Sequence, residues 1–487
     1  MKKKQTGKNG QREYRLLLIN PWIYDFTAFD LWSKPIGLLY IASYLRSIGY
    51  EIDYIDCLDR YHPAQLGGVY SKPLKLKKYG VGHFERQRVE KPAVFHFIPR
   101  YFARYGMPED LFISRLKKLT KPDAVLVTSF MTYWYPGPQR VIEILRQVFP
   151  EVPVILGGIY ATLLPKHARN ILKPDFVITG PGEIQIEKLL AQLLPNAPQN
   201  SLPPRVLDDF PTPAFDLYSR LDYLPVMTSR GCPYHCTFCA TDKISGPYAQ
   251  RNPQAVVQEI LENVQRFSVP DIAFYDDALL LNKNQRLIPI LETLVARGVN
   301  LRFHTPNGLH ARQIDQEMAR WFHRSGFTTI RLSFETTDSK RLADMKNKIT
   351  PADLDEAVRN LEQAGYSRKQ LEAYVMMGLP HQTFQEICHS LIFVHSLGIK
   401  IRLASFSPIP GTVDHERAVK DGLFPAEADP LLSNKTIYPL FRTTTDYEKF
   451  QHIRQLVRVM NESVERGSNL YSSKEIKNAF QTILGTF

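Results

Sequence analysis

Cysteine is scarce: there are five in 487 residues, and three of those fall within eight positions. So few thiols cannot staple a chain of this size with disulfides, so the composition reads as a reducing compartment, the cytoplasm, with a metal centre at the cluster. Long apolar runs are also missing. None approaches the roughly 20 residues that span a bilayer, and no membrane span is expected. The first residues, Met1-Lys-Lys-Lys-Gln-Thr-Gly-Lys-Asn-Gly, carry charge with no apolar stretch behind them. They read as a solvated tail, 1–14, rather than a secretory signal. Lys and Arg (61) outnumber Asp and Glu (49), giving a formal charge of +12. Such an excess suits nucleic acid, a membrane surface or an acidic substrate, and chooses among none of them.

The cysteine-rich stretch is Cys232-Pro-Tyr-His-Cys236-Thr-Phe238-Cys239, spaced C-x3-C-x2-C after an apolar run at 224–230. Three thiolates on one short loop can reach a common centre. A structural zinc site would want a fourth ligand, for which His235 would have to fold back between its neighbours. An iron–sulfur cluster held by three thiolates leaves one iron open to an outside ligand.

The length implies two or three domains. Short apolar runs at 15–21, 51–56, 124–129, 152–158 and 175–180 alternate with amphipathic stretches, the pattern of a doubly wound parallel α/β sheet over 15–193. Small and polar residues gather where such strands end: Asn20 and Pro21, Ser129, Gly157 and Gly158, then Gly182 and Glu183. Ligands on these sheets bind beyond those ends, where glycine lets a large planar group approach the backbone. An insertion at about 61–115 mixes basic residues with aromatics, and is expected to pack its aromatics on the sheet and shape a substrate entrance. Proline-rich 194–221 reads as a linker.

From 222 to 411 six strand–helix repeats follow, with strands at 224–230, 271–275, 300–305, 328–334, 372–377 and 401–406. Asn252-Pro253 caps a helix that runs to about Phe267. Past each strand stands a polar residue or glycine, including Asp276, Asp277, Asn307, Glu335 and Gly378. That is the active face of a (β/α) barrel. Residues 412–487 read as a helical region closing the barrel's open side. Cys57 and Cys388 read as buried structural thiols.

The C-x3-C-x-aromatic-C motif, with Phe238 as the aromatic, resembles that of the radical SAM enzymes. The resemblance implies a partial (β/α)6 barrel and a 4Fe–4S cluster on Cys232, Cys236 and Cys239. It also implies S-adenosylmethionine on the open iron, cleaved by one electron to a 5′-deoxyadenosyl radical. It assigns Asp276 and Asp277 to the methionine ammonium, Asn307, Ser333 and Glu335 to polar contacts, and Gly378 to the adenine flank. The glycine-rich sequence usual at the second strand's end is replaced here by the two aspartates.

The first 190 residues resemble the cobalamin-binding domain that precedes the barrel in one subgroup. Asn20-Pro21, Lys34-Pro-Ile-Gly-Leu-Leu-Tyr, Gly157-Gly158-Ile-Tyr160 and Gly180-Pro-Gly182-Glu183 carry the likeness. The cobalt-ligating D-x-H-x-x-G motif is absent, since Asp59-Arg-Tyr-His62 has other spacing; its absence is usual in that subgroup. The resemblance implies a cobalamin-dependent methyltransferase acting on an unactivated carbon of a small or medium organic substrate. It also implies an electron donor such as a flavodoxin or ferredoxin. Ring formation, oxidation or rearrangement by the same radical are the alternatives. A tRNA methylthiotransferase is disfavoured, because it would need three further cysteines in the first domain, where only Cys57 stands. A nucleic-acid-binding protein built on a zinc loop would have no need of six strand–helix repeats.

Overall fold

The computed structural model describes residues 13–61, 77–200, 204–346, 348–441, 444–467 and 478. Most of the basic tail, residues 62–76 with His62 and the first lysines after Tyr70, part of the linker and most of the end of the C-terminal region lie outside the described residues. The chain divides into two compact units, Met1–Asp222 with Lys243–Ala249, and Tyr223–Asp242 with Gln250–Phe487.

In the first unit, strands β1 (Arg15–Asn20), β2 (Glu51–Asp56), β3 (Ala124–Val127), β4 (Val154–Leu156) and β5 (Phe176–Val177) form a parallel sheet in the order β5-β4-β3-β1-β2. The four apolar residues of β1, Leu16 to Ile19, are buried because helices cover both faces. The strand order reverses between β1 and β3, so the ends of these two strands, Asn20 and Thr128, flank the switch point where ligands on doubly wound sheets settle. Helix α1 (Ile36–Ser47) and the helix Glu183–Leu193 bury Leu38, Ala42, Leu45, Ile186 and Leu190 in one core with Leu16 and Leu18.

Among its described residues, the insertion carries short antiparallel strands. Ile23–Asp25, Ala103–Tyr105 and Arg86–Arg88 make one small sheet. Phe26, Phe95 and Phe102 pack edge to face or tilted, with centroids 5.0–5.6 Å apart. Phe97 and Tyr101 stay exposed, and the Arg88 guanidinium lies 3.5 Å over the Tyr101 ring.

In the second unit, β6 (Leu224–Val226), β7 (Asp271–Phe274), β8 (Arg302–His304), β9 (Phe327–Glu335), β10 (Leu371–Met377) and β11 (Lys400–Ser405) pair in parallel and in chain order. These are the six expected repeats, and Phe274, Phe303 and Phe327 stack between neighbouring strands. Strand β6 ends at Val226, not Arg230, because the Thr228 N–H turns to the Asp276 carboxylate 3.0 Å away. The helix Pro253–Phe267 starts with the Asn252 side chain accepting from the Gln254 N–H. At the far edge, the helix Thr444–Arg466 closes β11. Asn461 accepts from the Ile401 N–H at 2.8 Å and donates to its carbonyl at 2.9 Å, satisfying an edge that would otherwise be open.

The helix Pro351–Gln363 begins with a capping box: Thr350 and Asp353 exchange side-chain-to-backbone bonds, and Arg312 grips the same carboxylate at 2.9 Å. Burial raises the Asp353 carboxyl, but the Arg312 and Thr350 bonds outweigh it and hold the group at about 2. A carboxyl lowered by folding stabilises above its ordinary value of 3.8, and that contribution fades as pH falls from there through about 2. Thr350→Ala is expected to lower the unfolding free energy by about 1 kcal/mol at neutral pH. In urea titrations the gap from wild type should narrow near pH ~3; an equal gap at both pH values would remove the carboxylate from the cap.

Candidate functional site

All six strands of the second unit run the same way, so their carboxyl ends share one rim. The cysteine loop leaves the first of them. Its middle is clamped twice. The Thr237 hydroxyl donates to the buried Asp414 carboxylate at 2.7 Å, and the Thr237 carbonyl accepts from the Asp414 N–H at 2.9 Å. Phe238 packs on Met345, Met376, Leu379 and Phe406, past the ends of β10 and β11. A turn bond from the Cys239 N–H to the Cys236 carbonyl, 3.0 Å, draws the last two cysteines together. Cys232 and Cys236 are half-buried and Cys239 is exposed, 3.2 Å from the Thr241 hydroxyl.

Burial dominates the electrostatics of the loop. Burial pushes the Cys236 thiol up to about 11; Lys348 opposes this, while Glu335 and the other two cysteines add to it. Cys232 is raised for the same reason, with Cys239 and Asp277 adding to it and the Tyr234 N–H and Lys348 opposing. Among the described residues, no three His, Cys, Asp or Glu side chains could hold a single metal ion. Cys236 lies near enough to Cys232 and Cys239 to feel their charge, and thiols spaced too widely for one ion suit a cluster whose irons take one thiolate each.

The two aspartates after β7 separate. Asp276 is sealed: it accepts from the Thr228 N–H and hydroxyl, from Ser229 and from Arg286, whose guanidinium stands 2.9 Å away. With three side-chain donors on Oδ1 and a side chain 0% exposed, Asp276 fixes the rim from beneath the surface. Asp277 is exposed and acts on Cys232. Asn307 braces the same turn, donating to the Tyr275 and Asp276 carbonyls at 3.2 and 3.0 Å. Ser333 is buried against Gly308, where an added Cβ would meet its hydroxyl at 2.3 Å, so Gly308 admits no side chain.

Glu335 ends β9 at a register shift with φ of +73°, a left-handed conformation that costs a non-glycine residue about 1–3 kcal/mol. Its Oε2 is buried without a hydrogen-bond partner among the described residues. Burial raises its carboxyl against the pull of Lys348. Gly378 also has a positive φ, +90°, and its N–H donates to Gln382 at 2.7 Å.

In the first unit the expected residues divide as well. Gly158 has a φ of +94°, and a Cβ there would strike the Ser129 carbonyl at 2.3 Å. Nothing stands within 4 Å of a Cβ built on Gly157 or Gly180. Thr162 ties these turns together, donating to the Gly158 carbonyl at 2.8 Å and accepting from the Gly180 N–H at 2.9 Å. The result is a shelf of exposed backbone beyond β4 and β5, the cradle that a corrin-sized group needs. Gly182 packs on Ile41 and starts the helix of the buried Glu183. Asn20, Pro21, Ser129 and Tyr160 lie beneath the surface. Ser129 donates to the Gly157 carbonyl at 2.7 Å, Tyr160 bonds to His167 at 2.7 Å, and Asn20 donates to Asp56 at 2.7 Å. Ser129 and Tyr160 therefore support the shelf from below.

Sequence reasoning missed Lys348, Arg286 and Asp414. Lys348 and Arg286 stand outside any periodic or motif signal. Asp414 follows Thr412, a helix cap whose side chain accepts from His415, and that cap was legible.

The Radical SAM superfamily model matches residues 226–394, and the B12 binding domain model matches residues 103–190. An uncharacterized methyltransferase of Pyrococcus horikoshii, PH0819, is 26% identical over 349 residues, covering 65% of this chain and 74% of its own. The cytidylyl-2-hydroxyethylphosphonate methyltransferase of Streptomyces wedmorensis is 22% identical, covering 87% and 85%. Among solved structures, the radical S-adenosylmethionine methyltransferase TsrM of Kitasatospora setae, with cobalamin and a 4Fe–4S cluster bound, superposes with a TM-score of 0.62 at 16% identity, over 85% of this chain and 76% of that one. The chain therefore carries a B12-binding domain over 103–190 and, after it, a radical SAM domain over 226–394.

Proposed function

We propose that this enzyme transfers a methyl group to a carbon of a small or medium organic substrate. The observation that carries the reading is the pairing, in one chain, of a three-thiol loop at a barrel rim with a glycine shelf at the ligand end of a B12-binding domain. The relatives named above as methyltransferases favour methyl transfer over cyclisation or rearrangement. When bound, the cluster and S-adenosylmethionine supply a 5′-deoxyadenosyl radical that takes hydrogen from the substrate, and cobalamin supplies the methyl group.

The chain's own residues hold and orient. Cys232, Cys236 and Cys239 would hold the cluster, and the clamps at Thr237 and Phe238 keep their spacing. Asp277 accepts from the methionine ammonium. The strained Glu335 offers its unpartnered oxygen to S-adenosylmethionine, and the backbone at Gly378 lies along adenine. Gly157, Gly158 and Gly180 would support cobalamin through exposed backbone. A flavodoxin or ferredoxin delivers the electron.

Anaerobically reconstituted, cobalamin-loaded enzyme with methyl-labelled S-adenosylmethionine and candidate substrates is expected to form both 5′-deoxyadenosine and S-adenosylhomocysteine, with label in the product by mass spectrometry. Formation of 5′-deoxyadenosine alone would transfer the reading to radical cyclisation, oxidation or rearrangement. Glu335→Gln, which replaces a charged hydrogen bond by a neutral one, should raise the KM for S-adenosylmethionine about tenfold. An unchanged KM would take Glu335 out of that site.

A further inference from the structure

The last barrel strand carries cations on its inner face. Residues paired in parallel register point to the same side of a sheet, and Tyr374 of β10 pairs with Arg402 of β11. The Tyr374 hydroxyl donates to the Pro306 carbonyl, past the end of β8, at 3.0 Å, with β9 between the two strands. That bond spans the barrel's interior, so Arg402 belongs to the interior face as well. Two residues further along, Ala404 packs against the apolar cluster that also receives Phe238 of the cysteine loop. A strand rises about 3.3 Å per residue, which sets Arg402 about 7 Å along β11 before that contact.

One carboxylate answers three cations at this level. Glu372 accepts from the Arg402 Nε at 2.8 Å and the Arg331 Nε at 3.2 Å, and the Lys400 ammonium is 3.9 Å away. Burial raises the Glu372 carboxyl, but Arg402, Arg331 and Lys400 outweigh it and hold the group below its ordinary value. Lys400 has a second partner in Glu465 at 2.7 Å. Among the described residues Arg402 bonds to Glu372 alone, through Nε, and its side chain is 39% exposed. Both of its Nη groups are left for an outside acceptor.

Arg402 lines a groove of about 550 Å³ between β11 and the helix Thr444–Arg466. Five Lys and Arg side chains line it against two carboxylates, Glu462 and Glu465, and Leu403 and Val457 add apolar wall. Arg454 enters from the helix, and its guanidinium reaches the Tyr438 hydroxyl only at 3.5 Å. Cavities of this size hold small organic ligands. A guanidinium fork matches the oxygens of a carboxylate or a phosphoryl group two at a time.

Resting on the methyl-transfer reading, we infer that this groove holds the acidic group of the methyl acceptor, a carboxylate or a phosphoryl group, with Arg402 and Arg454 as its donors. The two arginines select an anionic substrate and turn its body toward the Phe238 end of the strands.

The test is calorimetric binding of phenyl phosphate, benzoate and neutral benzyl alcohol to the full reconstituted chain, as wild type and as Arg402→Gln, Arg402→Lys and Arg454→Gln. Arg402→Gln leaves Glu372 its Arg331 and Lys400 partners. Lys121→Met, which removes a charge from a side chain 60% exposed in the first unit, is the control. At least one anion should bind about tenfold or more tighter than the alcohol. A preference for phenyl phosphate assigns a phosphoryl group, and a preference for benzoate a carboxylate. Each Gln variant should weaken that binding about tenfold. Arg402→Lys, which keeps the charge without the fork, should fall between, and Lys121→Met should match wild type. Anions that bind no tighter than the alcohol, or wild-type affinity in Arg402→Gln, would overturn the inference. Should Arg402→Gln fail to fold, Arg454→Gln decides in the same way. Labelled product from neutral acceptors alone would also overturn it and leave methyl transfer standing. Arg402-dependent anion binding in an enzyme that labels no acceptor would keep the groove and overturn the methyl-transfer reading instead.

Discussion

A buried ion pair holds the start of the cysteine loop. Asp276 and Arg286 have side chains only 0% and 1% exposed. Between them they engage Thr228, Ser229 and the carbonyls of Ala278, Leu279 and Leu281. Removing one member of such a pair leaves the other charge buried and alone, at a cost of about 3–5 kcal/mol. Here the pair ends β6 six residues before Cys232 and fixes the turn that presents Asp277. The thiols therefore leave a rigid point, and the Thr237 and Phe238 clamps fix where they arrive.

The first unit achieves comparable rigidity with backbone. Gly158 adopts a conformation that other residues resist, at a contact that admits no Cβ, while Gly157 and Gly180 leave room above. Thr162 bonds both turns at once. A flat, backbone-lined surface suits a large cofactor that needs no side-chain ligand to its metal, which is consistent with the missing histidine motif.

Much of this was legible in the sequence. The six barrel strands, the five sheet strands and the helix at Asn252 follow from apolar runs and caps, because burial on both faces leaves an unbroken apolar signature. The cysteine spacing identified its own chemistry. Adjacent polar residues were not separable: Asp276 and Asp277 occupy the same strand end, and only the position of Arg286, ten residues on, decides which is sealed. Tyr160 and Ser129 read as ligand contacts because pattern reports proximity to a strand end, not which way a side chain turns. The insertion's short antiparallel strands carry too few residues to show a period. Met345 packs with Phe238 across about a hundred positions of chain, a contact that no local pattern encodes.

The most direct test of the account is a cofactor count. Wild type and Cys236→Ala would be reconstituted without oxygen with iron, sulfide and hydroxocobalamin, then desalted and assayed for each. The account predicts about four irons and four sulfides with one cobalamin in wild type. In Cys236→Ala the iron and sulfide should be lost while the cobalamin stays. Cobalamin absent from both proteins, or iron retained in the variant, would contradict it.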